Sequence, residues 1–155
     1  MERRTPDFGR VLAAISQRPD GDFVSLRGSE IDGVLELAFL MANANGDASI
    51  DELEAFRALV KHLRPEANIG ALLEELGDKL GGAESIGERV RAAAANLTRS
   101  TARELAYKAV YAVAVFDLET NAEERELENL VIEVLGLDEK RAHELGLEAT
   151  HALLA

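Results

Sequence analysis

The sequence has 155 residues, of which 47% are hydrophobic and 5% are aromatic, and this favours one domain of closely packed helices over a β-sheet protein. Its 29 acidic and 17 basic residues give a formal net charge of -12 at pH 7, which excludes the basic surface that direct binding of nucleic acid requires. Because the chain has no cysteine, it forms neither disulfide bonds nor thiolate metal sites, whereas cations and basic protein surfaces suit its charge.

The first 28 residues predict a short helix followed by a loop. Residues 23–26 form a strand-like run without a partner, which we interpret as a packed loop. Four apolar residues of the predicted helix share helical spacing: Phe8, Val11, Leu12 and Ile15.

No part of the chain has the pattern of a secretion signal or a membrane-spanning helix. The N-terminus leads into no long apolar run. The longest apolar stretch, at about residues 106–116, is interrupted by Lys108 and is far shorter than the about 20 residues that span a bilayer. We therefore expect a cytoplasmic protein without a transmembrane segment.

From residue 29 onwards, apolar residues recur at helical spacing almost without interruption. Ser29 is placed as the N-cap of a helix that is apolar around most of its circumference, which predicts a buried position. A second strongly apolar helix is predicted at about residues 101–116. The other predicted helices are amphipathic and cover residues 49–64, 69–81, 86–97, 121–135 and 138–153.

These patterns predict an all-α fold, a compact bundle of about seven helices. No linker of disordered composition divides the chain, so we expect a single domain over residues 1–155. Residues 1–28 form its N-terminal helix and loop, and residues 29–155 form its core.

Two acidic segments, Asn45-Gly46-Asp47 and Asp117-Leu118-Glu119, are two copies of one motif. Each follows a buried helix and precedes an amphipathic one, which suggests duplication and pseudo-twofold packing of two halves. The aligned positions all differ by 72: Phe39 and Tyr111, Ala42 and Ala114, Asn45 and Asp117, Asp47 and Glu119, Ser49 and Asn121, Asp51 and Glu123, Glu52 and Glu124, and Glu54 and Glu126.

The first copy resembles a calcium-binding loop of the EF-hand type, because its oxygen-bearing side chains have the spacing that a hard cation needs. Asn43, Asn45 and Asp47 occupy the first, third and fifth positions, while Asp51 and Glu54 occupy the ninth and twelfth. The loop departs from that type at Ala48, which stands where a glycine normally allows a sharp turn. At its own first position the second copy has Val115. We therefore do not expect a standard EF-hand pair.

Helix capping is the alternative explanation of the same carboxylates. Ser49-x-x-Glu52 is a capping box, Asn121-x-x-Glu124 is a close variant, and acidic residues in a first turn are favoured by the helix dipole. Capping accounts for about half of the acidic residues, namely Asp51, Glu52, Glu123 and Glu124. It does not account for the others, so both explanations stay open: Asp47, Glu54, Asp117, Glu119 and Glu126.

Residues 44–54, Ala-Asn-Gly-Asp-Ala-Ser-Ile-Asp-Glu-Leu-Glu, resemble the first acidic motif of the TerB-like family, the helical domains associated with tellurite resistance. Residues 117–125 resemble the second motif of that family, and the resemblance extends over about residues 31–145. Three positions differ from the family pattern: Asn45 replaces an aspartate, Ala48 a larger apolar residue and Leu118 a glycine.

The resemblance implies about seven helices in two pseudo-symmetric halves and no enzymatic activity. It also implies metal binding through the acidic motifs and action in a stress-response, tellurite-resistance or membrane-associated protein complex. The sequence therefore predicts a non-enzymatic module that binds Ca²⁺ or another divalent cation and has protein partners. The alternative is a protein-interaction adaptor whose acidic motifs only cap helices. The predicted cation ligands are Asn43, Asn45, Asp47, Asp51, Glu54, Asp117, Glu119, Glu123 and Glu126.

Three other groups of residues carry weaker patterns. Glu148-x-x-His151 has the spacing of a di-iron ligand pair, but no second such pair occurs, so we interpret it as part of a solvated terminal helix. Tyr107 and Tyr111 lie four apart on an apolar helix and are predicted to be core residues. Four arginines are predicted to form salt bridges with the acidic surface, with an anion or partner site as the alternative: Arg89, Arg91, Arg99 and Arg103.

Overall fold

The structure is a computed structural model that describes residues 26–43, 50–115 and 122–154. These residues form seven α-helices and no β-strand, so the all-α prediction is confirmed for this part of the chain. The helix predicted near the N-terminus lies outside the described residues. The seven helices are α1 (Gly28–Ala42), α2 (Ile50–Leu63), α3 (Ile69–Gly81), α4 (Ile86–Ala94), α5 (Ser100–Val115), α6 (Ala122–Leu135) and α7 (Glu139–Leu154).

Most helices begin and end near the predicted residues, and neighbouring side chains explain several of these ends. Helix α2 ends two residues before Pro65, which cannot continue a helix. The side chain of Asn68 caps α3 by accepting a hydrogen bond from the Ala71 N–H at 3.0 Å. Gly136 follows α6 with a φ of 69°, a conformation that glycine adopts without steric cost.

The start of α1 differs from the prediction that Ser29 caps it. The cap residue is Arg27, so Ser29 already lies in the first turn. The carboxylate of Glu30 accepts a hydrogen bond from the Arg27 N–H at 2.8 Å. This is the reciprocal hydrogen bond of a capping box, in which the third residue of the helix accepts from the N–H of the cap residue.

The two strongly apolar helices, α1 and α5, pack against each other at the centre of the protein. Helices α2 and α4 cover α1, while α6 and α7 cover α5, and α4 also packs on α6. Phe39 of α1 meets Phe56 of α2 edge to face, with ring centroids 5.8 Å apart. Helix α3 lies at the periphery, where Leu76 is its one buried residue. The prediction, from their continuous apolar sequence, that α1 and α5 are buried helices is therefore confirmed.

The described helices keep the 72-residue spacing of the sequence repeat. Gly28 and Ser100 begin α1 and α5, while Ile50 and Ala122 begin α2 and α6. Leu63 and Leu135 end α2 and α6, again 72 positions apart. The two central helices are not packed in equivalent ways. By their order in the chain, α3 and α7 are the corresponding helices of the two halves. Helix α7 packs on α5, but the helix that packs on α1 is α4 and not α3.

Two buried glutamates tie α1 to the region around α4. Glu36 is 6% exposed and receives two hydrogen bonds from Arg89, at 2.6 and 2.9 Å. Glu30 is 3% exposed and receives two from Arg99, at 2.5 and 2.9 Å. Both guanidinium groups therefore bind a carboxylate in the two-pronged geometry that makes such pairs strong. The salt bridges predicted for these two arginines are confirmed, but their partners are buried side chains.

The Glu30–Arg99 pair predicts a pH dependence of stability. Hydrogen bonds from Arg99 outweigh burial and lower the pKa of Glu30 from 4.5 to about 2. A lowered pKa means that the pair stabilises the folded state above about pH 4.5 and that this contribution is lost as the pH falls towards 2. Urea unfolding of the wild type and of Glu30→Gln should give a stability difference that shrinks over this range. A difference that stays constant from pH 5 to about 2 would contradict this explanation.

Candidate functional site

The predicted cation ligands divide into three groups. The side chains of Asn43, Glu54 and Glu126 are described, whereas Asp51 and Glu123 are described only as helical backbone. The other four ligands lie outside the described residues and their roles stay predictions: Asn45, Asp47, Asp117 and Glu119.

Asn43 lies at the carboxyl end of α1 and is held there by its own helix. Its N–H donates to the carbonyl oxygens of Phe39 and Leu40, at 3.1 and 3.2 Å. Its side-chain Nδ2 also donates to the Phe39 oxygen, at 2.9 Å. These hydrogen bonds orient the Asn43 amide, and its side-chain oxygen Oδ1 is the atom that could bind a cation. Uncompensated carbonyls at a helix carboxyl end add a partial negative charge in the same place.

Glu54 and Glu126 are exposed and occupy equivalent places on α2 and α6, each being the fifth residue of its helix. Glu52, which the capping hypothesis places in the first turn of the helix, differs from them because it is only 2% exposed. The signal for its burial is its helical spacing with Ala55, Phe56 and Leu59, which are all fully buried. Its predicted capping partner, Ser49, lies outside the described residues.

No three His, Asp or Glu side chains converge in a metal-binding arrangement within the described ranges. The predicted first site depends on Asn45 and Asp47, which are outside those ranges. What the described residues contribute is a pair of oxygen-bearing side chains, Asn43 and Glu54, at the two helix ends that flank residues 44–49.

Within the described part of the chain, two basic residues of the predicted cluster, Arg91 and Arg103, form no salt bridge with a carboxylate, and they differ in their surroundings. Arg103 Nε donates to the Leu97 carbonyl at 2.7 Å, and so it braces the turn before α5. Arg91 is exposed on α4. Together with the pairing of Arg89 and Arg99, three of the four arginines therefore make structural contacts.

Glu148 lies in a buried ion pair, which corrects its interpretation as part of a solvated helix. Its Oε2 is 2.7 Å from the Lys108 ammonium, and the Lys108 side chain is only 3% exposed. Glu148 therefore neutralises the lysine that interrupts the apolar sequence of α5, while His151 is exposed at the end of α7. This pairing explains Glu148 without a di-iron site.

Tyr107 is buried, as predicted, but its hydroxyl does more than fill the core. It donates a hydrogen bond to Glu128 Oε1 at 2.7 Å. Burial, together with the Glu128 carboxylate, raises the pKa of Tyr107 well above its usual range. The phenol therefore stays protonated and keeps donating. Tyr111 is half-buried and lines a pocket of about 370 Å³ between α5, α6 and α7.

A second pocket, of about 320 Å³, lies between α1, α3 and α4. Its lining includes three acidic and three basic side chains, and each acid has a base beside it. Arg64 lies 2.6 Å from Asp32, Lys79 lies 3.5 Å from Glu75, and Arg89 binds Glu36. This pocket therefore neutralises its own charges.

Comparisons of the chain with known protein families, curated proteins and solved structures found no match. The TerB-like resemblance thus rests on the motif residues alone. None of the described helices is long and apolar enough to cross a membrane.

Proposed function

We propose that the protein is a non-enzymatic helical module that binds a divalent cation, with calcium favoured, through the acidic segment between α1 and α2. The observation that carries this proposal is the arrangement of the flanking helices. Each acidic segment joins the end of a buried helix to the start of an amphipathic one, at the same 72-residue spacing. At the first segment this arrangement places an oriented amide, Asn43, and an exposed carboxylate, Glu54, on the two helices that flank the predicted ligands.

The first segment is the better candidate because both of its flanks carry an oxygen-bearing side chain, whereas the second segment has Val115 in place of Asn43. Asn43 is fixed by the Phe39 carbonyl, and Glu54 projects from a helix whose inner face is fully buried. Asn45, Asp47 and Asp51 are the predicted ligands between them. Calcium takes six to eight oxygen ligands, and carboxylates and amide oxygens are among those it prefers.

Calorimetry and thermal unfolding in calcium test this proposal. We expect the wild type to release or absorb heat on titration and to gain thermal stability, because a ligand that binds only the folded state stabilises it. The double variant Asp47→Asn, Glu54→Gln should lose both responses. Its matched control is Glu133→Gln, which removes an exposed carboxylate outside both acidic segments and should respond like the wild type.

The absence of any response to millimolar calcium, magnesium or manganese would overturn the proposal. The adaptor function would then be favoured if charge reversal at Asp47 and Glu119 abolished capture of a protein partner. Two further proposals follow from the TerB-like resemblance, namely pseudo-twofold related halves and action within a stress-response, tellurite-resistance or membrane-associated complex.

A further inference from the structure

The pocket between α5, α6 and α7 differs in its charge from the pocket between α1, α3 and α4. Its lining contains two carboxylates, Glu128 and Glu139, and one histidine, His143, but neither lysine nor arginine. By contrast, the pocket between α1, α3 and α4 holds three acid–base pairs. A lining with two carboxylates and no permanently charged basic side chain favours a positively charged ligand.

Apolar and aromatic side chains form much of the remaining lining. Tyr111 presents a half-buried ring, and Leu147 is the one large hydrophobic residue of the described chain that is markedly exposed, at 47%. A bare metal ion gains nothing from such surfaces, whereas an organic cation with an apolar body does. An aromatic ring also attracts a cation through its negative face.

The position of the Tyr111 ring depends on a glycine in α7. A Cβ atom at Gly146 would lie 3.2 and 3.3 Å from two carbons of this ring, so any larger residue would push the ring outward by a few tenths of an ångström. The Tyr107 and Tyr111 rings are 6.0 Å apart and tilted by 40°. The pocket wall is therefore built by contacts between helices.

The carboxylate of Glu128 is also positioned by a partner. The Tyr107 hydroxyl donates to its Oε1, and this leaves the negative charge at the pocket edge without neutralising it. A neutral donor orients an acid for ligand binding, whereas an arginine would cancel its charge.

We propose that this pocket binds an organic ammonium group, with Tyr111 and Leu147 contacting its apolar part and with Glu128 and Glu139 balancing its charge. The volume of about 370 Å³ is in the range of small-molecule sites. The ammonium belongs either to a free small amine or to a methylated lysine side chain of a protein partner.

Choline and its neutral isostere 3,3-dimethylbutan-1-ol test the proposal by NMR titration of the backbone amides. We expect choline to shift amides of α5, α6 and α7 and to bind about tenfold more tightly than the neutral compound. Equal affinities, or no shifts with choline, would overturn the proposal.

Two variants test the assigned side chains. Glu128→Gln keeps an acceptor for Tyr107 but removes the charge, and it should weaken choline binding about fivefold or more, as should Tyr111→Leu. Glu75→Gln in the other pocket is the matched control and should bind like the wild type. Unchanged binding by a folded Glu128→Gln protein would overturn the proposal, even if Tyr111→Leu fails to fold.

Two further experiments distinguish a free amine from a protein partner, and this pocket from the proposed calcium site. A peptide carrying trimethyllysine that binds more tightly than choline identifies a protein partner, whereas the reverse order identifies a free amine. Choline binding should survive Asp47→Asn, and loss of binding in this variant would contradict the assignment to this pocket. Failure of calcium binding alone therefore leaves this inference standing.

Discussion

Replacing Glu148 with glutamine is expected to lower the free energy of unfolding by about 3 kcal/mol, the lower end of the range for breaking a buried ion pair. The substitution leaves the Lys108 ammonium, whose side chain is 3% exposed, without its counter-charge between α5 and α7. We use the lower end of this range because the Glu148 side chain is 26% exposed, so water partly solvates the pair. Urea unfolding measures the change.

The matched control replaces the other partner by an apolar side chain of similar length. Lys108→Met removes the buried charge, and such replacements are often neutral or stabilising. Adding Lys108→Met to Glu148→Gln should therefore recover most of the lost stability. A Glu148→Gln protein as stable as the wild type, or a double variant no more stable than Glu148→Gln alone, would contradict a buried pair at this position.

Replacing Gly33 with alanine is expected to lower the free energy of unfolding by about 1–2 kcal/mol, because overpacking between helices costs about 1–3 kcal/mol. A Cβ atom at this position would lie 2.8 Å from the Ala93 carbonyl oxygen and 3.2 Å from Leu97 Cγ. Since the closest atom belongs to the backbone of α4, the two helices must separate. The higher helix propensity of alanine offsets up to about 1 kcal/mol of that cost.

Gly77 is the matched control because it also lies inside a helix, but a Cβ atom added there would have no neighbour within 4 Å. Gly77→Ala should therefore raise the stability by up to about 1 kcal/mol through helix propensity alone. Thermal and urea unfolding of the two variants should give changes of opposite sign. Stabilisation by both substitutions would show that α1 and α4 are not in close contact at Gly33.

The sequence was sufficient to predict the helices and the central pair because those features depend on neighbouring residues. Apolar spacing marked α1 and α5, Pro65 marked the end of α2, and Gly136 marked the end of α6. The 72-residue spacing between aligned positions also predicted the matching bounds of α2 and α6. The prediction that Ser29 caps α1 was wrong, because the helix begins one residue earlier, at Gly28, and its cap residue is Arg27.

Buried charges could not be predicted in the same way, since each depends on a partner far away in the chain. Glu30 and Arg99 are 69 positions apart, and Glu36 and Arg89 are 53 apart. The pocket lined by Tyr111, Glu128 and Gly146 likewise draws on three different helices. Glu52 and Lys108 did carry a local signal of burial, since Glu52 has helical spacing with buried residues and Lys108 lies inside the longest apolar stretch.

A crystal grown with millimolar calcium tests the proposed function most directly, through electron density at residues 43–54. We predict a cation there, bound at about 2.3–2.6 Å by oxygen atoms of Asn43, Asp47 and Glu54. Clear density for this segment without a cation, or a calcium ion bound only elsewhere on the protein, would contradict calcium binding by the first acidic segment.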